Sequence, residues 1–309
     1  MQLLRNIKKF DAKASVVTIG NFDGVHLGHQ ALIQKLKQKG QKLCIPTCLI
    51  TFEPQPNEFF NPHSSARLTR FREKFEILRN YELDYIICLR FDKRLSNLSA
   101  ENFVKNILAQ GLHAKYILVG DDFRFGYRRQ GDIHLLKKLS QLYNFQIESM
   151  DTFSMHEERV GSTRIRLALA KANLELVEKL LGRSFTMSGR VAHGSKLGRK
   201  LGFPTANIHL NRKTVPIAGI FCVKIYGLQQ QPLFGVANVG NRPAVGGGKT
   251  LLEVYIFDFN QNIYGRHIVV EFIYKLRDEE NYTSLELLKQ QIKTDVLRAK
   301  EFFQEFVKK

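Results

Sequence analysis

The chain has 309 residues, of which 44% are hydrophobic and 25% are charged, and its formal net charge is +18. This composition is ordinary for folded proteins, so it excludes a mainly disordered chain, and the length favours two domains. No run of about 18 uncharged apolar residues occurs, and the charged N-terminus lacks the apolar segment of a signal peptide, so we expect a cytoplasmic protein with no membrane partner.

The first 181 residues alternate between short apolar or β-branched runs and helical stretches. This alternation predicts a parallel sheet covered by helices. The predicted strands are residues 15–19, 43–52, 85–89, 116–119 and 145–150. The predicted helices are residues 30–39 (ended by Gly40), 70–79, 100–110 (closed by Gly111), 133–143 and 164–181.

The pattern changes after Arg183, where we place a domain boundary between residues 1–183 and 184–309. Residues 185–271 form short β-rich segments separated by Gly, Asn and Pro, which is typical of a small antiparallel barrel or sandwich. The strands expected there include residues 219–226, 233–238, 251–258 and 267–274. Residues 284–307 return to a helical period, with Ser284 as the predicted N-cap.

The four cysteines, Cys44, Cys48, Cys88 and Cys222, lie in apolar, strand-like sequence and form no C-x-x-C pair. We therefore expect reduced structural thiols rather than a zinc site or disulfides. The positive charge is spread over both halves of the chain. This charge favours one of two functions. The protein either binds nucleic acid through clustered cations or handles anionic small molecules, and charge alone does not separate these two hypotheses.

The most informative segment is residues 20–29, GNFDGVHLGH, which follows a predicted strand and opens a helix. Ligands bind open α/β sheets at such positions, and a helix N-terminus offers free N–H groups to a phosphate. Gly24 and Gly28 allow the backbone to approach the ligand, and His26 and His29 are spaced to point the same way. Strand, glycine-rich turn and helix together favour a triphosphate site over a chance pair of surface histidines.

A second glycine-rich segment covers residues 189–207, with four glycines within 14 residues and interspersed cations. It predicts a phosphate-wrapping loop, although it is not a Walker A sequence. Thr205 and Asn207 are two apart on a predicted strand, so they face one side, and their oxygens suit Mg²⁺. The alternative is an ordinary strand that follows a proline turn.

Three further groups have both a functional and a structural interpretation. Glu253 lies in an apolar run, so it is either a partly desolvated carboxylate or, in the commoner setting, a carboxylate on a solvated strand face. Asp122 suits a ribityl or ribose hydroxyl or a metal, whereas the aromatic neighbours at 123 and 125 either stack on a flat ring or fill the core. Arg164 and Arg166 suit an anion at a helix start or form a solvated cationic face.

The H-x-G-H spacing after a first strand resembles the nucleotidylyltransferase superfamily. Residues 18–29 resemble more specifically the N-terminal module of bacterial bifunctional riboflavin kinase/FAD synthetases. Residues 51–56, TFEPQP, 120–126, GDDFRFG, and 162–166, STRIR, resemble in order the family's F-x-P-x-P, flavin-contacting and phosphate-closing motifs. Gly161 departs from the pattern, since the family often has Ser there.

The second half resembles the riboflavin kinase domain of the same family. The matching segments are GRVAHG at residues 189–194, LGFPTAN at 201–207, GVANVGNRP at 235–243, EVY at 253–255, YG at 264–265 and LRDE at 276–279. Ala244-Val245 stands where the family commonly has Pro-Thr, and Tyr255 replaces a usual His. Both departures lie near the expected flavin pocket.

The resemblance covers nearly the whole chain and implies a Rossmann-like parallel sheet followed by a β-barrel kinase domain with a C-terminal helix. It implies phosphorylation of riboflavin by ATP to FMN, then adenylylation of FMN to FAD, with Mg²⁺ as cofactor. No nucleic-acid partner is expected. The sequence does not determine the oligomeric state, although we expect a monomer.

The resemblance also assigns residues. The catalytic residues are His26, His29 and Glu253. The nucleotide-binding residues are Gly20, Asn21, Phe22, Gly28, Ser162, Thr163, Arg166, Gly194, Lys196 and Gly198. The flavin-binding residues are Phe52, Pro56, Asp122, Phe123, Phe125, Arg190 and Arg277, and the metal ligands are Thr205 and Asn207.

Two other functions stay open at this point. A different nucleotidylyltransferase would leave unexplained the half of the chain that holds Thr205, Asn207 and Glu253. An RNA-binding barrel predicts aromatic residues exposed among Lys and Arg on its strands. Phe221 and Phe257 lie instead among aliphatic residues, which favours a place in the core.

Overall fold

The structure, a computed structural model, describes residues 1–61, 64–155, 158–194, 197–210, 212, 214–241 and 250–308. The chain divides into a first unit, residues 1–64 with 69–162, and a second unit, residues 65–68 with 163–309. Residues 163–183 thus belong to the second unit, whereas the domain boundary expected near Arg183 stays a prediction about function. In the described part of the chain, no helix is long and apolar enough to cross a bilayer.

The first unit is built on a six-stranded parallel sheet, which confirms the fold predicted from the alternation. Its order is β1-β4-β3-β2-β5-β6. The strands are β1 Gln2–Leu4, β2 Ser15–Ile19, β3 Thr47–Glu53, β4 Tyr85–Arg90, β5 Ala114–Gly120 and β6 Gln146–Met150. Every residue of β2 is buried, as expected of a central strand with both faces covered. Val17 and Ile19 enter one core and Val16 enters the core on the opposite face.

Helices cover this sheet, and a two-stranded hairpin follows β6. The helices of the first unit are α1 Leu27–Leu43, α2 Pro56–Phe60, α3 Phe71–Arg79, α4 Lys93–Ser96, α5 Ala100–Phe103 and α6 Ile133–Tyr143. A π-helical segment, Val104–Ala109, continues α5. The hairpin strands are β7 Ser154–Met155 and β8 Glu158–Arg159. Helix α7, Ser162–Ala170, begins at the last residue of the first unit.

The predicted end of the first helix at Gly40 is wrong. Helix α1 continues to Leu43 and ends at Cys44, which has the left-handed φ of 54°. A Cβ on Gly40 would lie 2.6 Å from Thr47 Cγ2, so this glycine allows close helix–strand packing rather than a helix end. The strand therefore starts at Thr47, and Cys44 is an exposed helix cap, whereas Cys48, Cys88 and Cys222 are buried, and all four thiols are free.

The helix predicted over residues 164–181 is two helices, α7 and α8, the latter spanning Leu174–Leu181. The break falls at Ala172, whose φ is 50°. The side chain of Asn173 then caps α8 by accepting a hydrogen bond from Leu176 N at 3.1 Å. A new helix begins directly after the break, with Asn173 as its N-cap, so the helical spacing of apolar residues continues across the break. The sequence pattern alone therefore does not reveal that the helix is divided.

The second unit contains a closed antiparallel barrel of six strands, ordered β10-β13-β12-β11-β14-β9, which confirms the predicted barrel. The strands are β9 Thr186–Ala192, β10 Thr205–His209, β11 Gly219–Tyr226, β12 Leu233–Asn241, β13 Thr250–Ile256 and β14 His267–Arg277. A short helix, α9 Leu197–Lys200, lies between β9 and β10, and α10 Leu285–Lys308 ends the unit.

Alternation along the barrel strands separates an inner core from an outer face. On β13, Leu252 and Val254 are fully buried, and Glu253 lies between them on the opposite face. Helix α10 covers part of the outer face by packing Val296, Ala299 and Phe303 against Cys222 and Phe257. Its N-cap is Ser284, as predicted, because the Oγ atom accepts from Leu287 N at 3.2 Å. Phe221 and Phe257 are both buried, as expected.

A carboxylate on β6 fastens α1 to the sheet. Glu148 forms ion pairs with Lys35 and, at 3.5 Å, with Lys39 of α1, and it accepts a hydrogen bond from the Tyr116 hydroxyl. The Lys39 ammonium also lies 4.4 Å from the Tyr116 ring centroid. These contacts, led by the bond from Lys35, lower the pKa of Glu148 from 4.5 to about 2. The ionised carboxylate is therefore a stabilising group.

We expect Glu148→Gln to lower the free energy of unfolding by about 1–2 kcal/mol at pH 7, because it removes two charge-assisted contacts. Because the folded-state pKa is depressed, the difference from the unsubstituted chain should shrink as pH falls from 4.5 toward 2. Calorimetry of the full chain at several pH values measures this difference in the free energy of unfolding. Glu82→Gln is the matched control: Glu82 pairs with Lys37 of the same helix but is 83% exposed, so equal losses in both variants would contradict the prediction.

Candidate active sites

The loop after β2 holds left-handed backbone at two residues that rarely adopt it. Phe22 and Val25 have φ of 48° and 43°, and Gly24 between them has φ of 82°, which glycine adopts without strain. Two hydrogen bonds to the Asp23 carboxylate, from Thr69 N at 3.0 Å and Thr69 Oγ1 at 3.4 Å, fix this conformation, and Gly24 N donates to Thr69 Oγ1 at 2.9 Å. Strained backbone of this kind persists only where the surroundings hold it, and it concentrates at functional sites. Sequence analysis did not identify Asp23 and Thr69 as the residues that hold the loop.

A buried lysine supports the same loop from α3. Lys74 is 1% exposed, and its ammonium donates to the carbonyl of Asn21 at 2.5 Å and to Thr51 Oγ1 at 3.1 Å. A buried ammonium is tolerated only with such partners. It places a fixed positive charge beneath the loop that the sequence identifies as phosphate-binding. Its position in an ordinary helical pattern gave no sequence signal.

His26 and His29 lie side by side at the first turn of α1. His26 is the N-cap, and its Nδ1 accepts a hydrogen bond from His29 N at 3.4 Å. The two rings stack, with centroids 3.6 Å apart and planes 20° apart. Because Nδ1 of His26 is the acceptor, its neutral ring carries the proton on Nε2. A Cβ on Gly28 would lie 3.3 Å from the same Nδ1.

The environment of His29 opposes protonation. Burial first, then the His26 ring and the Lys74 ammonium, lower the pKa of His29 well below 6.5. Its Nδ1 atom is buried and has no hydrogen-bond partner in the described part of the chain. The ring is therefore a neutral hydrogen-bonding group at neutral pH, placed at the positive end of a helix dipole.

A cavity of about 480 Å³ opens beside these histidines, and it extends from the loop after β2 to an end that is lined by aromatic side chains. The predicted residues that line it are Gly20, Asn21, Phe22, His26, Gly28, His29, Phe52, Pro56, Asp122, Phe123, Phe125 and Ser162. At the aromatic end the rings of Phe123 and Phe125 stack 5.3 Å apart. Phe125 is buried in the core, so it supports the more accessible Phe123.

Other residues line this cavity that sequence analysis missed. Phe60, which is 66% exposed, and Phe91 add to its aromatic end, and Arg128 and Arg129 add charge. Arg159 forms an ion pair with Asp122, which raises the pKa of the guanidinium. The sequence signal that could have identified Arg128 and Arg129 is the cluster of cations within residues 124–129.

The serine–threonine segment at the start of α7 divides between the two units. The Ser162 hydroxyl donates to Asp23 O at 2.9 Å within the first unit. Thr163 and Arg166 belong to the second unit, where Arg166 Nε donates to Ala66 O at 2.8 Å, so their role in nucleotide binding stays a prediction. Gly161 lines the cavity, and the nearest atom to an added Cβ there would be 3.9 Å away.

The second unit has a cavity of about 200 Å³ between the outer face of the barrel and α10. The predicted residues that line it are Gly198, Thr205, Asn207, Glu253 and Arg277. Asn207 of β10 is the direct register partner of Glu253 of β13. The alternation that buries Leu252 and Val254 thus turns Glu253 to the helix-covered cavity rather than to bulk solvent.

Two glycines form a cradle around the candidate metal ligands. A Cβ on Gly194 would lie 2.4 Å from Asn207 Nδ2, and one on Gly198 would lie 3.2 Å from Thr205 Oγ1. At Gly194 the backbone therefore approaches Asn207 as closely as only glycine allows, and at Gly198 the same holds for the Phe203 carbonyl oxygen, 2.5 Å from an added Cβ. A hydroxyl and an amide oxygen facing one cavity suit a hard divalent cation, so the residues present fit Mg²⁺. Lys196 and Ala244 lie outside the described residues.

Arg277 is held at the cavity by α10. Its guanidinium forms a two-pronged ion pair with Asp295, with Nε–Oδ1 and Nη2–Oδ2 distances of 2.9 and 2.7 Å. Asp295 is 3% exposed and also accepts from Gln291 Nε2 at 2.9 Å. Such paired geometry fixes the plane of the guanidinium. Sequence analysis did not identify Asp295, because the pairing joins β14 to a helix 18 residues away.

Two other expected flavin-side residues have different settings. Arg190 does not line the described cavity: it is exposed, and Nη1 donates to Gly265 O at 2.8 Å. Its role in flavin binding stays a prediction. Tyr255 lines the cavity and packs edge-on against Phe203, with ring centroids 5.4 Å apart. The described residues contain no group of three or more His, Cys, Asp or Glu side chains that could hold a metal.

Two family models match the chain in sequence. The model described as FAD synthetase matches residues 8–164, and the model described as riboflavin kinase matches residues 181–303. A bifunctional riboflavin kinase/FMN adenylyltransferase of Escherichia coli strain K12 is 48% identical over 98% of both chains. The protein of that name from Haemophilus influenzae is 44% identical over 98% of this chain and 99% of its own.

One solved structure has the same overall fold. It is named as a macrolide-efflux protein from Streptococcus pneumoniae, and it is 29% identical, with a TM-score of 0.80 over 95% of this chain and 96% of its own. Its printed name differs from those of the relatives that are 44–48% identical. The higher identity of those relatives carries more weight for family membership.

We expect the His29 imidazole to titrate well below 6.5 in the ligand-free protein. The folded state holds this ring neutral, whereas the unfolded chain takes up a proton near 6.5. The free energy of unfolding should therefore fall as pH is lowered below that value, down to the folded-state pKa. NMR of the histidine rings in the full chain measures the titration, and His29→Asn identifies the signal by its loss. A His29 signal that titrates at or above 6.5 would contradict the assignment.

Proposed function

The chain belongs to the family of bifunctional riboflavin kinase/FMN adenylyltransferases, and we propose that each of its two cavities holds one of the two reactions. The protein phosphorylates riboflavin with ATP to give FMN and then transfers AMP from ATP to FMN, which gives FAD and pyrophosphate. The observation that carries the placement is that each cavity is lined by the signature residues of its own family match. The functional domains are residues 1–183 and 184–309.

The kinase reaction belongs to the cavity under α10. Glu253 accepts the proton of the riboflavin 5′-hydroxyl as that oxygen attacks the γ-phosphorus of ATP, and ADP leaves. Its place on a helix-covered face supports this role, because water has limited access to the proton that moves. Arg277, fixed by Asp295, binds the flavin end of the substrate, as does Arg190, and Gly194, Lys196 and Gly198 wrap the nucleotide phosphates.

Thr205 and Asn207 would hold Mg²⁺, with the remaining ligands supplied by the phosphates. The glycine cradle at 194 and 198 supports this assignment, because it brings the phosphate-wrapping backbone against both side chains. When bound, the ion neutralises charge on the transferring phosphoryl group. Asn207 Nδ2 donates to Thr205 O at 3.4 Å, which orients the carboxamide.

Adenylyl transfer belongs to the larger cavity. A phosphate oxygen of FMN attacks the α-phosphorus of ATP. The bond between that phosphorus and the oxygen that bridges the α- and β-phosphates breaks, and pyrophosphate leaves. His26 and His29 donate hydrogen bonds to the phosphates at the N-terminus of α1, and Ser162, Thr163 and Arg166 close on them. Phe52, Pro56 and Phe123 contact the flavin ring, Phe125 supports them, and Asp122 contacts a hydroxyl. No protein nucleophile is required, so positioning and electrostatics supply the catalysis.

We expect the pure protein to convert riboflavin, ATP and Mg²⁺ into FAD with FMN as a transient product, as followed by chromatography. Glu253→Gln should lower the rate of FMN formation by about 10²–10⁴ because no base accepts the proton, and it should leave FMN adenylylation unchanged. His29→Ala should do the reverse, with a loss of about 10²–10³ in adenylylation.

Each variant thus carries its own control in the other reaction. FMN as the final product of the unsubstituted chain would contradict the adenylyltransferase proposal for the first unit. Failure to convert either riboflavin or FMN would contradict the flavin assignment altogether. A steep salt dependence of RNA affinity would then support the nucleic-acid hypothesis.

The glycine cradle makes a separate prediction. In Gly194→Ala the added methyl group overlaps the Asn207 carboxamide, so we expect kinase kcat/KM to fall by about 10-fold to 100-fold. The matched control is Gly161→Ala, whose added methyl group meets no atom closer than 3.9 Å. If the methyl group acts through Asn207, Gly194→Ala should cost little more in an Asn207→Ala background. Full additivity would contradict this explanation.

A further inference from the structure

One row of side chains crosses four neighbouring strand pairs of the barrel. The register pairs Asn207 with Glu253, Glu253 with Asn238, Asn238 with Ile220, and Ile220 with Arg277. All five residues line the cavity under α10. Adjacent strands are about 4.8 Å apart, so the row gives these side chains a fixed order and spacing along the cavity.

Asn238 is the one polar member of this row to which neither the sequence nor the family resemblance gives a role. Its Oδ1 atom is buried and accepts no hydrogen bond from the described part of the protein. Its neighbours along β12, Ala237 and Val239, are fully buried on the opposite face. A buried acceptor that is left without a partner destabilises a protein. An acceptor that faces a cavity is therefore suited to a hydrogen-bond donor on the ligand.

The order of the row identifies that donor, and this step rests on the proposed function. The candidate metal ligand Asn207 marks the phosphoryl end, Glu253 marks the reacting 5′-hydroxyl, and Arg277 marks the flavin ring. Riboflavin has the same linear order, because its ribityl chain, with three further hydroxyl groups, joins the 5′-hydroxyl to the ring. Asn238 lies between Glu253 and Arg277, beside that chain.

We propose that the carboxamide of Asn238 binds a ribityl hydroxyl of riboflavin, accepting its hydrogen bond at Oδ1, and so selects substrates with a hydroxylated side chain. Asn238 then determines specificity without accepting the proton that moves in the reaction. The apolar Ile220 follows it in the row, which confines the polar recognition to the ribityl part of the substrate.

The test compares riboflavin with analogues that lack a single ribityl hydroxyl, the 2′-, 3′- and 4′-deoxy compounds, as kinase substrates. The unsubstituted chain should prefer riboflavin over one of these analogues by about 10-fold to 100-fold in kcat/KM. Asn238→Leu, which keeps the branching of the side chain and removes the acceptor, should lose about that factor with riboflavin and little with that analogue. Asn238→Ser, which restores a small hydroxyl acceptor, should recover part of the preference.

FMN adenylylation by the same preparations reports that the chain is folded. Equal losses with riboflavin and all three analogues, together with a displaced pH profile of kcat, would indicate that Asn238 positions Glu253 rather than contacting the substrate. That result would overturn the proposal. Unchanged kinetics with riboflavin in both variants would overturn it as well. If the unsubstituted chain forms no FMN at all, the proposed kinase function fails instead, so the two failures are distinguishable.

Discussion

The proposed kinase site depends on the contact that holds α10 against the barrel. A barrel strand buries one face in the core, and its other face meets solvent unless another element covers it. Val296 and Phe303 cover part of that outer face, and the Asp295–Arg277 ion pair joins the helix to β14 at the edge of the cavity. Without this cover Glu253 would be a solvated surface carboxylate. The covering helix makes the surface of an ordinary barrel strand into a site with restricted access to water.

In the first unit, the comparable constraint is a buried positive charge. The Lys74 ammonium holds the loop carbonyl of Asn21. Burial first, then the His26 ring and this ammonium, lower the pKa of His29 and so keep its ring neutral. A neutral ring at the end of a helix dipole can donate a hydrogen bond to phosphate without a fixed charge of its own. The positive potential comes instead from the lysine below and the helix N-terminus. This division of roles suits a reaction in which two polyanionic substrates meet.

The two proposed phosphate sites use different backbone solutions. The first is a helix N-terminus, where Gly28 packs tightly against the ring of His26. The second is a loop beside a strand, where Gly194 lies against Asn207 at a distance that no other residue allows. In both, a polar side chain fixed by its element supplies direction. The barrel adds a property that the first unit lacks: its register sets residues in one row, so Asn207, Glu253 and Arg277 keep a defined order.

The sequence alone determined the two architectures and, in each cavity, the signature residues that carry the family resemblance. Strand periodicity and glycine-rich turns are local signals, so they identified β2 and the histidine pair, and the order of the family motifs singled out Glu253. Only the packing of α10 showed that the face of Glu253 is covered rather than solvated. Tertiary structure decided the rest. Gly40 ends no helix because Thr47 packs against it. Lys74 and Asp295 have unremarkable local sequence, and Asn238 lies in a matching segment that gives it no role. Their importance comes from partners or neighbours on other strands and helices, and burial that arises when distant segments pack leaves no trace in a local pattern.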